Sequence, residues 1–304
     1  MNVSIIGARR RRSGIGEYIG KYFHKNGATI TSVMGTTEKT AQDASFGLRK
    51  YGIDSTPYTD FYKMAENENP DTTVIASPPS THYEYLAKCV DLGLNIFCEK
   101  PFVWQETNDM RGIVEHLFEK AGQKNVTVAM NSQWPFSMRY YEELCGPVDS
   151  EKTGTFFIDM SPLSRGREMI PESIPHALSM LYWVFGDGEI GGLHIEPHEG
   201  KMIMRFTYLS KTGDCDVFIN LARREQQPRD FRFGFNDRIV RRILDFGNYD
   251  IYFSYEGRRI KIIDPLELSV QDFIKAVKEG REPLIGYPHI MSNMSLLKAI
   301  YDRC

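Results

Sequence analysis

Along the first 130 residues, short apolar runs alternate with stretches of helical periodicity. Asn2 to Gly7 (NVSIIG) is an apolar run closed by glycine, and Glu17 to Lys25 follows with apolar side chains three and four apart. The same couple recurs as Ala28 to Met34 with Glu38 to Tyr51, Thr72 to Ala76 with Thr81 to Leu92, and Asn95 to Cys98 with Gln105 to Gly122. Val126 to Met130 is a last apolar run. Short continuous apolar runs predict buried strands, and 3.6-residue periodicity predicts helices. Strands separated by helices need crossover connections, which demand a parallel sheet covered on both faces. The pattern predicts a doubly wound α/β domain over residues 1–130.

The pattern changes over residues 131–304. Gly154 to Met160, Lys201 to Leu209, Cys215 to Ala222, Phe231 to Phe235, Arg238 to Phe246, Tyr249 to Tyr255 and Arg258 to Ile263 read as strands, several of them alternating apolar with polar. Turns such as Lys211-Thr212-Gly213 and Glu256-Gly257 are too short for crossovers, so hairpins and a mostly antiparallel sheet are expected. Helices are expected at Ile174 to Phe185, Leu268 to Glu279 and His289 to Tyr301. This second domain reads as α+β, with its C-terminal helix able to pack back on the first.

Composition narrows the function classes. The 304 residues carry 37 Lys+Arg against 40 Asp+Glu, a net charge of −3, with 41% hydrophobic residues. That balance disfavours a nucleic-acid binder and a disordered acidic tail. No apolar run approaches the roughly 20 residues that span a bilayer, and Met1 to Gly7 has no signal-peptide layout. Five scattered cysteines without a C-x-x-C pair suggest reduced thiols in a cytoplasmic chain, with no disulfide framework or structural zinc. His194 and His198 are four apart, but Pro197 and strand-like neighbours argue against a metal site.

Candidate chemistry sits in the loops. Gly7, Arg9, Arg10, Arg11, Arg12, Ser13, Gly14, Ile15 and Gly16 lie between the first strand and the first helix. There a glycine turn lets backbone N–H groups approach a pyrophosphate, although six residues separate Gly7 from Gly14 and the usual G-x-G-x-x-G spacing is absent. The second strand ends not on an acid but on Met34-Gly35-Thr36-Thr37-Glu38-Lys39. Arginines with Thr36, Thr37 and Lys39 suit a 2′-phosphate, so NADP(H) is expected over NAD(H). Ser77-Pro78-Pro79-Ser80-Thr81-His82 and Cys98-Glu99-Lys100-Pro101 follow the third and fourth strands, where open parallel sheets bind ligands. A Lys100 ammonium there could hydrogen-bond the nicotinamide ribose and the reacting substrate oxygen, or pass a proton.

The stretch Thr73 to Pro101 resembles the central motif block of the Gfo/Idh/MocA oxidoreductase family. The N-terminal glycine loop, Glu172 to Gly186 and the ending Leu266 to Tyr301 agree with it. The resemblance implies an N-terminal Rossmann domain and a C-terminal open-faced sheet used for homo-oligomer contacts, in a dimer or tetramer. It maps the family lysine onto Lys100. The family's Asp and His, four residues apart on a helix, map onto Glu172 and His176, with Glu replacing Asp. One turn puts the two on one helical face. His176 is the candidate proton donor or acceptor, oriented or polarised by Glu172. Where many relatives carry Arg-containing sequence, this chain reads Asn131-Ser132-Gln133-Trp134-Pro135, so Gln133 and Trp134 join His176 as candidate substrate residues.

The expected function is hydride transfer between a nicotinamide and a carbonyl, alcohol or imine of a small, polar, sugar-like metabolite. Two other readings stay open: a catalytically silent NAD(P)-binding regulator, and a redox-neutral glycosidase with bound NAD. The substrate's identity and the direction of transfer are not written in the sequence.

Overall fold

The computed structural model describes residues 1–9, 14–105 and 109–304. Backbone contacts divide it into two units, Met1–Asn131 with Leu266–Met291, and Ser132–Pro265 with Ser292–Cys304. The first unit begins with β1 (Asn2–Ile6), α1 (Gly16–Lys25), β2 (Thr29–Met34), α2 (Glu38–Leu48), β3 (Thr56–Tyr58) and α3 (Phe61–Glu68). It continues with β4 (Thr72–Ile75), α4 (His82–Leu92), β5 (Asn95–Glu99), α5 (Met110–Gln123) and β6 (Val128–Asn131). The second unit contains α6 (Met138–Cys145), β7 (Thr155–Met160), α7 (Met169–Phe185), β8 (Gly188–His198), β9 (Lys201–Ser210), β10 (Cys215–Ala222), β11 (Phe231–Phe235), β12 (Arg238–Asp245), β13 (Asp250–Tyr255) and β14 (Arg258–Ile262). Helices α8 (Pro265–Glu279) and α9 (Tyr287–Tyr301) complete the chain.

In the first unit the strand order is β3-β2-β1-β4-β5-β6, and every pair is parallel. All four residues of β4 are buried. Successive strand residues face opposite sides, so both faces of the sheet are covered, as the apolar runs require. The order reverses between β1 and β4, and the loops leaving their carboxyl ends flank the crevice where such sheets bind ligands. Helix α8 belongs to this core: Leu266, Val270 and Phe273 pack with Val3, Ile5, Phe23 and Phe97. Phe273 lies edge-on to Phe23 at 6.0 Å and tilted to Phe97 at 5.3 Å.

The second unit is an eight-stranded sheet in the order β14-β13-β12-β11-β7-β10-β9-β8. Its pairs are antiparallel except β7 with β10, whose register runs Asp216 opposite Thr155 to Leu221 opposite Met160. Alternation fixes the faces: on β9, Met202, Met204, Phe206 and Tyr208 are buried while their neighbours are not. Buried Tyr141 of α6 ties down the β11–β12 hairpin, accepting from the Phe235 N–H at 2.9 Å and donating to the Arg238 carbonyl at 2.7 Å.

Several elements depart from the sequence reading. The short β3 with its central Pro57, and the eight-residue α3 with Phe61 and Met64 as its buried positions, bury too little to show in periodicity. Helix α6 was also unmarked, and β8 showed only as the strand-like neighbours of His194 and His198, because glycines, Pro197 and a register shift between Gly191 and His194 interrupt its pattern. Helix α8 starts at Pro265, ahead of the expected Leu268, because proline's missing N–H has no partner at a helix start anyway. Helix α5 starts at Met110 rather than Gln105, with Asp109 as its cap.

Helix α7 starts at Met169, five residues before the expected Ile174, and runs through two prolines. Pro171 sits in the first turn, where no N–H is needed. Pro175 costs about 3 kcal/mol in a helix interior. Complete burial of a large aliphatic side chain contributes about 1.5–3 kcal/mol, and Ile170, Ile174, Leu178, Met180 and Leu181 are all fully buried, so packing wins.

Candidate active site

Two glycines set the geometry of the first unit's loop. Gly7 has φ +86°, and a Cβ there would lie 2.7 Å from the backbone of Ala76 and Ser77. A Cβ on Gly16 would lie 2.6 Å from the Gly7 carbonyl oxygen and 3.0 Å from the Ala8 Cα. Three backbone segments, after β1, at the head of α1 and after β4, thus meet without side chains between them. Gly7 N–H donates to the Met34 carbonyl at 3.1 Å, fixing the turn to the end of β2. Such a cradle of bare backbone at a helix N-terminus fits the pyrophosphate of a dinucleotide. Ile15 is the cap residue of α1, and it and Gly14 are half-buried. Arg10, Arg11, Arg12 and Ser13 lie outside the described residues.

Arg9 pairs with Asp43 of α2 at 3.0 Å, both side chains well exposed. Thr36, Thr37 and Lys39 are exposed at the head of the same helix. Thr37 is first of all its cap: its hydroxyl accepts from the Thr40 N–H at 3.2 Å, and its own N–H donates to the Thr40 hydroxyl at 2.9 Å.

After β4, the Ser77 and Thr81 hydroxyls hydrogen-bond at 2.7 Å, and Thr81 donates to the Pro78 carbonyl at 2.8 Å. Pro78 is exposed and Pro79 half-buried. His82 is fully buried, with Nδ1 2.9 Å from the Pro101 carbonyl and Nε2 2.9 Å from the Ser77 carbonyl. It clasps the loop after β4 to the loop after β5. Burial lowers its pKa, against the backbone carbonyls of Ser77, Pro101 and Phe102, which raise it. The neutral ring has a single N–H, so it donates to one carbonyl at a time.

Glu99 ends β5, Lys100 follows it, and the Lys100–Pro101 peptide is cis. Burial pushes the Glu99 carboxyl up to about 7, while the Lys100 charge and the Asn131 hydrogen bond pull it down. Asn131, at the end of β6, donates its amide to Glu99, and its amide oxygen is buried without a hydrogen-bond partner among the described residues.

In the second unit, α7 is buried at every position from Met169 to Leu181 except Glu172 and His176. The pair thus marks the one uncovered face of that stretch. His176 Nδ1 lies 3.3 Å from the Ser132 hydroxyl. The Trp134 indole meets the His176 ring edge-on at 6.5 Å and stacks on Phe231 at 3.7 Å. Gln133 is half-buried one residue before. Glu172 holds backbone: Oε1 accepts from the Leu163 N–H at 2.9 Å and Oε2 from the Ser164 N–H at 2.8 Å. The extra methylene relative to Asp carries its carboxylate to the loop between β7 and α7, which it anchors.

Arg242 was missed. It lies 5.5 Å from the centroids of both Trp134 and Phe231. The signal was its position two residues after buried Val240, an arginine in phase with the apolar face of a strand. Burial pushes the Cys89 and Cys215 thiols up to about 12 and Cys145 to about 11, which disfavours the thiolate nucleophile at these three. Among the described residues no group of His, Cys, Asp and Glu could hold a metal ion, and no helix is long and apolar enough to cross a membrane.

Residues 1–131 match the model of the Gfo/Idh/MocA oxidoreductase family, described as having an NAD-binding Rossmann fold. The glycine cradle and the Glu99-Lys100-Pro101 loop both fall inside the matched segment, and beyond it the similarity is one of fold. An uncharacterized oxidoreductase of Schizosaccharomyces pombe is 30% identical over 73 residues, which is 24% of this chain but only 18% of that protein. The UDP-N-acetylglucosamine 3-dehydrogenase of Acidithiobacillus ferrooxidans superposes with TM-score 0.71 at 14% identity, covering 99% of this chain and 97% of that one. An oxidoreductase of Agrobacterium radiobacter, solved with NAD+, L-tartaric acid and magnesium, gives TM-score 0.73 at 11% identity, with coverage of 99% and 95%. Both share the architecture of a parallel Rossmann sheet with a second, mostly antiparallel sheet.

Proposed function

We propose that this chain is an NADP(H)-dependent oxidoreductase acting on a carbonyl, alcohol or imine of a small polar metabolite, of the sugar class. The observation that carries the reading is the cradle at Gly7 and Gly16, inside the segment that matches the model of an NAD-binding oxidoreductase family. The two fold neighbours, one acting on a sugar nucleotide and one solved with a hydroxy acid, support a hydroxyl-rich substrate.

Bound there, the cofactor would supply or accept hydride at its nicotinamide ring. The backbone at Gly7, Gly14, Ile15 and Gly16, with Ser77, Pro78 and Pro79, would hold its phosphates and riboses. Arg9 to Arg12, Ser13, Thr36, Thr37 and Lys39 would receive the 2′-phosphate. The exposed Arg9–Asp43 pair contributes no more than about 1 kcal/mol, so a doubly charged phosphate, which a guanidinium binds bidentately, outcompetes Asp43. Lys100 would hold the substrate's oxygen or nitrogen, with Glu99 and His82 positioning its loop. His176 would take or give the proton, with Gln133 and Trp134 lining the substrate site and Glu172 fixing the neighbouring loop. The exposed face of the second sheet, where Leu209 and Phe218 are each 39% exposed, would serve homo-oligomer assembly.

The test is NADPH oxidation across a panel of sugar-like carbonyl compounds, in wild type and Lys100→Ala. A fall in kcat of roughly 100-fold or more, with NADPH affinity retained, is expected. Unaltered turnover in Lys100→Ala removes the lysine from the mechanism.

A further inference from the structure

Arg242 of β12 is a half-buried cation with little to neutralise it. One guanidinium nitrogen donates to the Arg229 carbonyl at 2.6 Å. Its remaining N–H groups have no hydrogen-bond partner among the described residues, and no carboxylate there lies within ion-pairing distance. Tyr249, Asp264 and Asp230 attract it only through space, and Arg229 repels it. Asp230 is itself held by Arg224 at 2.6 Å and by Arg241 at 3.7 Å. Burial pushes the Arg242 pKa down to about 10.

The aromatic rings do not compensate. Arg242 is 5.5 Å from both centroids, yet the rings are stacked only 3.7 Å apart. At 5.5 Å from each centroid the guanidinium is near the ~6 Å limit of cation–π attraction and gains little from either ring. Arg238 on the same strand differs, its fork filled by the Cys145 and Pro147 carbonyls at 2.6 and 3.4 Å. Arg232 on the neighbouring strand is paired with Asp159.

The Trp134–Phe231 stack also places this cation. The register of β11 against β12 pairs Arg232 with Arg241, and continuing it by one residue sets Arg242 opposite Phe231. The stacked Trp134 meets His176 on its other contact. A guanidinium with open donors and the candidate proton-handling histidine therefore rest on one indole.

We propose that Arg242 is a specificity-determining residue that binds an oxyanion, a carboxylate or a phosphate, carried by the substrate. The planar fork matches two oxygens of either group, and a half-buried site strengthens such charge-assisted bonds. This rests on the oxidoreductase reading only for the fate of the bound molecule.

Calorimetric titration of the whole chain, with NADP+ present, compares two matched pairs of probes: D-gluconate against D-glucitol, and glucose 6-phosphate against glucose. Wild type is expected to bind at least one acidic member roughly tenfold or more tightly than its neutral counterpart. Preference for gluconate identifies a carboxylate, and preference for glucose 6-phosphate a phosphate. Arg242→Met, which keeps the apolar stem, brings the ratio to about one; Arg242→Lys, a charge without a fork, restores part of it. Circular dichroism checks the fold of each, and the lysine variant still reads out the ratio if the methionine variant does not fold. Equal binding of acidic and neutral members, no binding of either acidic probe at millimolar concentration, or a preference that survives both substitutions overturns the proposal. NADPH is titrated separately without sugar: failure to bind defeats the oxidoreductase reading, while an acidic preference lost in the variants still supports Arg242.

Discussion

The two units build their candidate sites from different materials. In the first, Gly7 and Gly16 matter for what they lack: the backbone segments at Ala76–Ser77 and Gly7 come within 2.7 Å of where a Cβ would stand. In the second, His176, Trp134, Phe231 and Arg242 come from a helix, a 3-10 turn and two strands and meet through their side chains. A site of bare backbone tolerates no added atoms and carries little chemical identity of its own. A site of side chains gains both its shape and its specificity from residues that can be exchanged, which is where related enzymes of one fold diverge in substrate.

Substitutions can break or sharpen that contrast. The largest expected effect on stability is Trp134→Ala, which removes a buried ring stacked on Phe231 and costs about 3–5 kcal/mol. Urea unfolding checks it, and a loss below about 1 kcal/mol, the ordinary surface scale, would show that the stack does not organise the second unit. Gly16→Ala comes next. Its Cβ must displace the Gly7 carbonyl, an overpacking cost of about 1–3 kcal/mol, and NADPH affinity falls with it. Full affinity in Gly16→Ala would deny the cradle its role.

The contrast extends to pH. Glu99 has a folded pKa of about 7, against about 4.3 in an unfolded chain. Between those values the folded protein holds a proton that the unfolded chain has released, so this group's contribution falls as pH rises through the window and then levels off. Glu99→Gln removes that slope. The melting temperature of the variant relative to wild type should climb from pH 4.5 to 7 and stay constant above. His82 has the opposite sign: its depressed pKa contributes stability that is lost as pH falls below about 6.5. A variant difference that does not change with pH would mean that Glu99 is ionised throughout.

How far the sequence could be read follows the same division. Backbone chemistry is recorded in spacing, so the run NVSIIG, the glycines at 7 and 16 and the Glu99-Lys100-Pro101 loop announced the parallel sheet and its ligand-binding end. Buried strands such as β4 are apolar at every position and stand out. The exposed β3, the short α3 and the interrupted β8 bury one side or less and do not. Side-chain chemistry between distant elements leaves no spacing to find. Glu172 and His176 were legible as one helical face, but the destination of the longer glutamate, the backbone of Leu163 and Ser164, was not. His82 sat in a recognisable loop, yet only packing shows that both its nitrogens are taken. Arg242 read as one more charge in Arg241-Arg242 until the β11–β12 register set it beside Phe231.

The smallest expected effect concerns cofactor choice. Arg9→Ala removes one cation near the head of α2, and NADPH binding should weaken by up to about tenfold, with NADH hardly altered. This leads to the central claim, that the first unit binds a nicotinamide dinucleotide with a preference for the phosphorylated form. Direct titration of the wild-type protein with NADPH and NADH, followed by nicotinamide fluorescence, tests it. Saturable binding of NADPH, roughly tenfold or more tighter than NADH, is the expected result; no saturable binding of either dinucleotide would contradict it.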